Sequence, residues 1–330
     1  MRAAVYDRPG PAADVLRVET RPDPAPGRGE VLVRVVASGV NPSDVKTRAA
    51  WMKTPKDFPR TIPHSDGAGV VEGVGDGVDP ARIGERVWLW NAQWGRPDGT
   101  AAELCALPAP QAVPLPDALS FEEGACIGIP ARTGWVAAME GRPAPGRRLL
   151  VQGAGAVGLA AVAVAAEAGA EVIAVASPDR AEAVRAAGAA HVVPRGEGLP
   201  EALAELTRGA GVHHVVEVDF GANWRADVAA LAPNGSIAAY SSTSAPNFEL
   251  SYYAFAQKAA RVRMLQVYLL APEEVAACHA ALAPLLAARA VPLPVAATFP
   301  LDRIAEAHEM QERGRPLGNV VVRPGGDPAA

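Results

Sequence analysis

The stretch Leu149-Leu150-Val151-Gln152-Gly153-Ala154-Gly155-Ala156-Val157-Gly158, with the Ala/Val-rich run Leu159 to Ala168 behind it, constrains this chain more than any other. A short apolar strand enters three glycines at GxGxxG spacing and leaves into strong helix formers, the context in which that spacing carries meaning. Gly153 permits a tight turn, Gly155 keeps a Cβ out of the way of a pyrophosphate, and Gly158 lets the helix pack close to its strand. The N–H groups at the helix start, around Ala156 and Val157, then face the phosphates with the positive end of the dipole. The competing reading is a glycine-rich turn that merely joins a buried strand to a buried helix. Against it, Glu171-Val172-Ile173-Ala174-Val175-Ala176 supplies a second apolar strand after Gly169, completing βαβ within the roughly 30 residues that unit needs.

The end of the second strand bears on which dinucleotide is bound. An NAD-binding unit places Asp or Glu there for the ribose hydroxyls, and that charge would repel a 2′-phosphate. This chain has Ala176-Ser177-Pro178-Asp179-Arg180. Ser177 can donate a hydrogen bond and Arg180 can pair bidentately with a phosphate, which favours NADPH over NADH. Asp179 is either the ribose acid displaced by a few positions or an N-terminal acid of the next helix.

Length and charge narrow the rest. The 330 residues suffice for two domains, each with a substantial core. Thirty-one basic and 36 acidic side chains give a net charge of −5, without a basic tail or stripe, so the chain offers nothing to a nucleic-acid backbone or an anionic membrane. Cys105, Cys126 and Cys278 are far apart and form no CxxC pair, which fits a reducing compartment and no structural zinc. The start reaches Asp7 and Pro9 too soon for the apolar region of a signal peptide, and no charge-free apolar run reaches ~18 residues. A cytoplasmic protein is expected.

Residues 1 to about 116 read as β-rich, with strand candidates at Glu30–Ala37, Gly67–Gly75 and Arg86–Trp90 separated by Pro and Gly turns, as in a compact barrel-like domain. Ser120-Phe121-Glu122-Glu123 opens a helix with a capping box. Strands and helices then alternate: a helix at Arg180–Ala187, a strand at His191–Val193, a helix at Pro200–Thr207, a strand at Val215–Val218, a helix near Ala222–Leu231, and a strand at Ser236–Tyr240. That is the pattern of an α/β doubly wound parallel sheet. A strand candidate follows at Met264–Tyr268, then a helix from Pro272 that Pro284 breaks or kinks, then a final helix capped by Asp302. Asn319–Val322 reads as a strand outside the alternating block, expected to return to the first domain. The expected division is 1–120 with 266–330, and 121–265.

The arrangement resembles the zinc-independent medium-chain dehydrogenases/reductases, and within them the quinone oxidoreductase and zeta-crystallin group. The likeness rests on Ser38-Gly39-Val40-Asn41-Pro42-Ser43-Asp44, Ser65-Asp66-Gly67-Ala68-Gly69-Val70-Val71, Gly84-Glu85-Arg86-Val87, and Ile127-Gly128-Ile129-Pro130 with Thr133 beyond. It implies a GroES-like β-rich catalytic domain beside a Rossmann domain, and a homodimer joined through an edge of the Rossmann sheet. Where zinc alcohol dehydrogenases of the superfamily carry their ligands, this chain has Asn41, Ser65 and a position near Ile129, and the four-Cys lobe is missing. Zinc needs thiolate, imidazole or carboxylate, so no metal is expected. Without a Lewis acid, alcohol oxidation loses its usual activation, whereas a quinone or activated C=C accepts hydride directly and needs mainly alignment and hydrogen bonds.

Four residues of the first domain are candidates for catalysis. Asn41 either donates its amide to a substrate carbonyl or bonds its own loop. Asp44 either orients a neighbour or is the next helix's N-terminal acid. Lys46 stands where relatives often carry Tyr, and His64 where a Gly is common; a lone His is more often structural, but one beside Ser65 is a candidate proton donor. For the cofactor the resemblance implies Thr133 near the nicotinamide, Tyr240 and Val267 at the carboxyl edge of the sheet, Arg195 at the adenosine phosphate, or else as a solvated loop residue, and Asn319 where a Gly-Lys pair is common. The expected activity is NADPH-dependent reduction of a small quinone or enone. The alternatives are an enoyl reductase of specialised metabolism and a non-catalytic NADPH-binding protein of the crystallin or RNA-binding kind, the latter disfavoured by the acidic charge.

Overall fold

The computed structural model describes residues 1–51, 58–314 and 317–325. In chain order its strands are β1 (Arg2–Val5), β2 (Arg17–Thr20), β3 (Glu30–Val40), β4 (Asp66–Val74), β5 (Arg86–Leu89), β6 (Leu104–Pro108), β7 (Ala112–Pro114), β8 (Arg148–Gln152), β9 (Glu171–Val175), β10 (His191–Val193), β11 (Val212–Glu217), β12 (Leu231–Ala239), β13 (Arg261–Met264), β14 (Val295–Pro300) and β15 (Asn319–Arg323). They fall into two compact units, residues 1–129 with 293–330, and residues 130–292.

The first unit is built on a seven-stranded sheet, β14-β15-β3-β4-β5-β7, with β6 on β3. β-branched residues fill it: Val31, Val33, Val35, Val71 and Val87 point into one core with Leu89 and Leu107. The returning chain completes the sheet as expected. β15 lies antiparallel to β3, with Val321 opposite Gly39, and parallel to β14. Val320 and Val322 close a second core with Val5, Ile62, Ile304 and Ala307.

The second unit is a six-stranded sheet in the order β10-β9-β8-β11-β12-β13, every pair parallel. The order reverses between β8 and β11, and a doubly wound sheet binds its ligand outside the carboxyl ends of the strands at such a point.

Four expectations shift. The unit boundaries lie at 129/130 and 292/293 instead of 120/121 and 265/266. The Pro272–Ala287 helix belongs to the second unit because Cys278, Leu282 and Leu286 form a buried stripe at i, i+4, i+8, packed on the Arg132–Met139 helix. Pro284 neither breaks that helix nor ends it. The strand sought at Met264–Tyr268 is three residues earlier, and Val267 starts a short 3₁₀ turn. Asp302 is not the cap of the Ile304–Glu312 helix; it pairs with the Arg2 guanidinium, and a 3₁₀ turn, Leu301–Arg303, leads into the helix.

Candidate active site

In the second unit the β8–helix turn has the form its glycines require. Gly153 sits at φ +91°, and a Cβ on Gly158 would lie 2.1 Å from the Gly153 carbonyl oxygen, so only glycine lets the helix start so close to its strand. Gly155, the N-cap of the Ala156–Glu167 helix, is different: a Cβ there would meet nothing within 4 Å. The fold does not need that glycine. An approaching ligand does, because the N–H groups of Ala156, Val157 and Gly158 lie at a helix start with no side-chain cap.

Ser177 and Arg180 bracket a 3₁₀ turn just after β9. Arg180 Nη1 reaches the Ala154 carbonyl at 3.5 Å, which places the guanidinium at the glycine turn. Asp179 is exposed, and a hydrogen bond with Ser177 holds its carboxyl below the usual range. Arg195 donates to Asn223 Oδ1 at 3.3 Å on the Phe220–Ala230 helix. Tyr240 follows β12 with its N–H on the Glu217 carbonyl, and burial beside the Glu217 charge pushes its phenol up. Val267 is buried. Thr133, on the Arg132–Met139 helix, keeps Oγ1 buried without a hydrogen-bond partner. An orphaned hydroxyl, an open glycine and an uncapped helix start fit a dinucleotide.

In the first unit Asn41, Asp44 and His64 belong to one buried network. Asn41 precedes the Pro42–Arg48 helix, where Pro42 fits the first turn and Asp44 takes the Asn41 N–H on Oδ2 at 2.7 Å. Asn41 Nδ2 donates to Asp66 Oδ2 at 2.9 Å, and the Ile129 N–H donates to the same oxygen at 2.8 Å. Asp66, not singled out from the sequence, therefore gathers the position compared with one zinc ligand and that near another. Burial raises the Asp44 carboxyl to about 7, against the hydrogen bonds from Asn41 and the Ser65 backbone that lower it. Lys46 lies 4.8 Å over the Trp51 ring.

His64 is fully buried at φ +78°. Its Nδ1 is 2.8 Å from Ser38 Oγ and its Nε2 is 2.9 Å from His308 Nε2. Arg48 Nε donates to His308 Nδ1 at 3.4 Å, which fixes the remaining protons. His308 Nε2–H donates to His64, His64 Nδ1–H to Ser38, Ser38 to Thr100 at 2.7 Å, and Thr100 to the Asp66 carbonyl at 2.5 Å. Burial lowers the His64 pKa to about 3, and burial, with His64 and Arg48 beside it, holds His308 well below the usual imidazole value. Both ring nitrogens of His64 are thus occupied by protein, and the imidazole is neutral at pH 7. Of the two readings open from the sequence, these contacts fit the structural one, in which His64 links Ser38 to His308. Asn319 opens β15 in this unit, its Nδ2 on the Pro294 carbonyl at 3.3 Å and its side chain against Cys126. Among the described residues no group of three or more His, Cys, Asp or Glu is placed to hold a metal ion.

The sequence matches the family "Alcohol dehydrogenase GroES-like domain" over residues 27–117 and "Zinc-binding dehydrogenase" over 156–283. The chain is 28% identical to human quinone oxidoreductase over 314 residues, 94% of this chain and 93% of that one. It belongs to the medium-chain dehydrogenases/reductases, in the quinone oxidoreductase group. Medium-chain relatives also include a zinc-type alcohol dehydrogenase-like protein of Schizosaccharomyces pombe, 29% identical over 322 residues, covering 89% of this chain and 91% of that protein. A phenolphthiocerol/phthiocerol polyketide synthase subunit of Mycobacterium tuberculosis is 35% identical over 242 residues, 71% of this chain but only 11% of that far longer protein. The solved Escherichia coli quinone oxidoreductase complexed with NADPH superposes at TM-score 0.85, with 25% identity, covering 98% of this chain and 100% of that one.

Proposed function

We propose that this medium-chain oxidoreductase uses NADPH to reduce a small quinone or enone without zinc. The observation that carries the reading is the second unit's turn, where Gly155 is open and the Arg180 guanidinium reaches Ala154 instead of a carboxylate standing at the end of β9. The E. coli relative solved with NADPH supports the cofactor, and the human quinone oxidoreductase the substrate class.

The residues divide the work as follows. The helix start at Ala156–Gly158 holds the pyrophosphate, Ser177 and Arg180 the 2′-phosphate, and Thr133 Oγ1 the nicotinamide side. NADPH supplies the hydride. Asn41, fixed by Asp44 and Asp66, is the polar group of the substrate side, and the oxyanion formed is stabilised by hydrogen bonding and protonated from water. With Asn41, Ser65 and Ile129 at the positions compared with zinc ligands, no Lewis acid takes part. A homodimer would form through β13, the terminal strand of its sheet, where Met264 and the nearby Tyr252, Tyr253 and Leu269 are exposed.

The test is oxidation of NADPH against NADH with a panel of ortho- and para-quinones and enones. Saturable NADPH-selective turnover is expected, with Arg180→Glu raising the KM for NADPH at least about tenfold and leaving NADH little changed. Equal use of both dinucleotides by the parent protein would overturn the phosphate assignment. The 35% identical polyketide synthase segment favours a second reading, an enoyl reductase acting on thioester-linked enones, which the same panel with an enoyl thioester separates from the first.

A further inference from the structure

Two buried acids at the carboxyl edge of the second unit's sheet have no part in the chemistry above. Glu217 closes β11, and Asp227 lies on the Phe220–Ala230 helix; both are fully buried. Glu217 Oε1 accepts the Asp219 N–H and Asn223 Nδ2, the latter at 3.0 Å. Asp227 Oδ1 accepts Gln152 Nε2 at 2.9 Å. Their other oxygens, Glu217 Oε2 and Asp227 Oδ2, are buried and take no N–H or O–H from any other residue, and each carboxyl lies within reach of the other. Two carboxylates there would repel, whereas an acid and a carboxylate can share a hydrogen bond. Glu217 already receives two N–H donors on Oε1, which favours its anion, so a shared proton belongs on Asp227.

The pair is tied to residues that flank the dinucleotide turn. Gln152 is the residue before Gly153, and Gly153 itself faces Val218, 3.3 Å from where its Cβ would be. Asn223 carries the Arg195 guanidinium, and Asp219 takes the Ser244 N–H at 3.1 Å from the segment after β12. We propose that Asp227 and Glu217 are positioning residues that share one proton and through Gln152, Asn223 and Asp219 hold the glycine turn and its flanking loops in the dinucleotide-binding shape, so that binding weakens when the proton is lost at alkaline pH. This rests on the dinucleotide reading of the turn. The groups facing the pair are the Asp219 carboxylate and the Tyr240 phenol, besides Gln152 and Asn223, which carry no charge. Burial, with the Glu217 charge beside it, holds Asp227 well above the usual carboxylate range, the direction that favours in the folded chain a proton that the unfolded chain releases. The stability this proton confers is therefore fully present below the unfolded carboxyl value and declines as pH rises through the folded pKa.

Asp227→Asn is the informative variant, because an amide donates to Glu217 Oε2 and accepts from Gln152 at every pH. The unliganded protein is examined first, by infrared spectroscopy at pH 7 for the carbonyl stretch of a protonated buried carboxyl, and by thermal melts from pH 7 to 10. NADPH and NADH dissociation constants are then measured by fluorescence titration over the same range. In the parent protein the carboxyl band is present and the NADPH dissociation constant rises at least about tenfold by pH 10; in Asp227→Asn the band is lost and the constant stays within about twofold. A band absent from the parent at pH 7, or the same pH profile in both proteins, would sink the proposal. Binding of neither dinucleotide overturns the turn's assignment and the coupling with it, while the band and the melts still decide separately whether the pair shares a proton.

Discussion

At the scale of single residues, Gly155 and Gly158 look alike in the sequence and play opposite parts. A methyl on Gly158 would collide with the Gly153 carbonyl at 2.1 Å, whereas one on Gly155 meets no protein atom. Gly158→Ala is therefore expected to lower the melting temperature by several degrees, and Gly155→Val to leave the melt of the unliganded protein nearly unchanged while raising the NADPH dissociation constant more than about tenfold. Equal melts for the two variants would contradict the assignment. The glycine turn was legible because strand, turn and helix formers are contiguous and each carries its local preference. The network around Asn41 was legible only in part. Asp44 was readable as the next helix's N-terminal acid, and there it takes the Asn41 N–H, but the partners of His64 leave no local sign: His308 is 244 positions away, and only the returning chain brings it there. Asp66 is a further case, since an acid at the head of a glycine-laced strand gives no local sign that an amide and a backbone N–H converge on it.

Among the elements, β15 ties the returning end of the chain into the first unit's sheet. Val320, Val321 and Val322 are fully buried, and the strand joins β14 to β3. Val321→Asp places a carboxylate in that interior and is expected to cost at least about 3 kcal/mol in urea unfolding, while Leu317→Asp, at a side chain 39% exposed just before the strand, should cost less than about 0.5 kcal/mol. Comparable losses would mean that β15 is peripheral. Three apolar residues after Gly318 sufficed to recognise this strand, and its position outside the alternating block sufficed to return it to the first unit. The Pro272–Ala287 helix shows the opposite. Its alanines carry no strong stripe, so the three side chains that fix it to the second unit, Cys278, Leu282 and Leu286, stand out only once their burial is known. Asp302 failed as a cap for a similar reason: a pairing with Arg2, 300 positions away, is invisible to a rule that reads three residues ahead.

For the whole molecule the buried histidines set the acid limit of stability. His64 is held to about 3 by burial, and burial likewise holds His308 well below the usual imidazole value. In the second unit His214 is held to about 4, with Nε2 on the Ala137 carbonyl and Nδ1 at Ser236 Oγ, each at 2.8 Å. All three are neutral in the folded chain and would take up protons near pH 6.5 when it unfolds. A folded pKa below the unfolded one means that stability is present above about pH 6.5 and is lost as pH falls towards the folded value. From pH 7 to pH 5 each such histidine costs roughly 2 kcal/mol, a loss that begins well above the ordinary carboxylate range. Asp44, raised to about 7, acts in the other direction: its contribution is fully present below the unfolded carboxyl value and declines as pH rises to about 7. Asp227, held well above the carboxylate range, adds to the same opposing slope, so these acids offset part of the histidine slope between pH 5 and 7. His64→Asn tests this cleanly, because Asn tolerates the positive φ and offers an amide to Ser38 but does not titrate. His64→Asn is expected to lose roughly 2 kcal/mol less than the parent protein between pH 7 and pH 5 in urea unfolding, whatever its stability at pH 7. Parallel pH curves for the two proteins would show that His64 is charged in the folded state and that the hydrogen-bond direction from Arg48 to Asp66 is wrong.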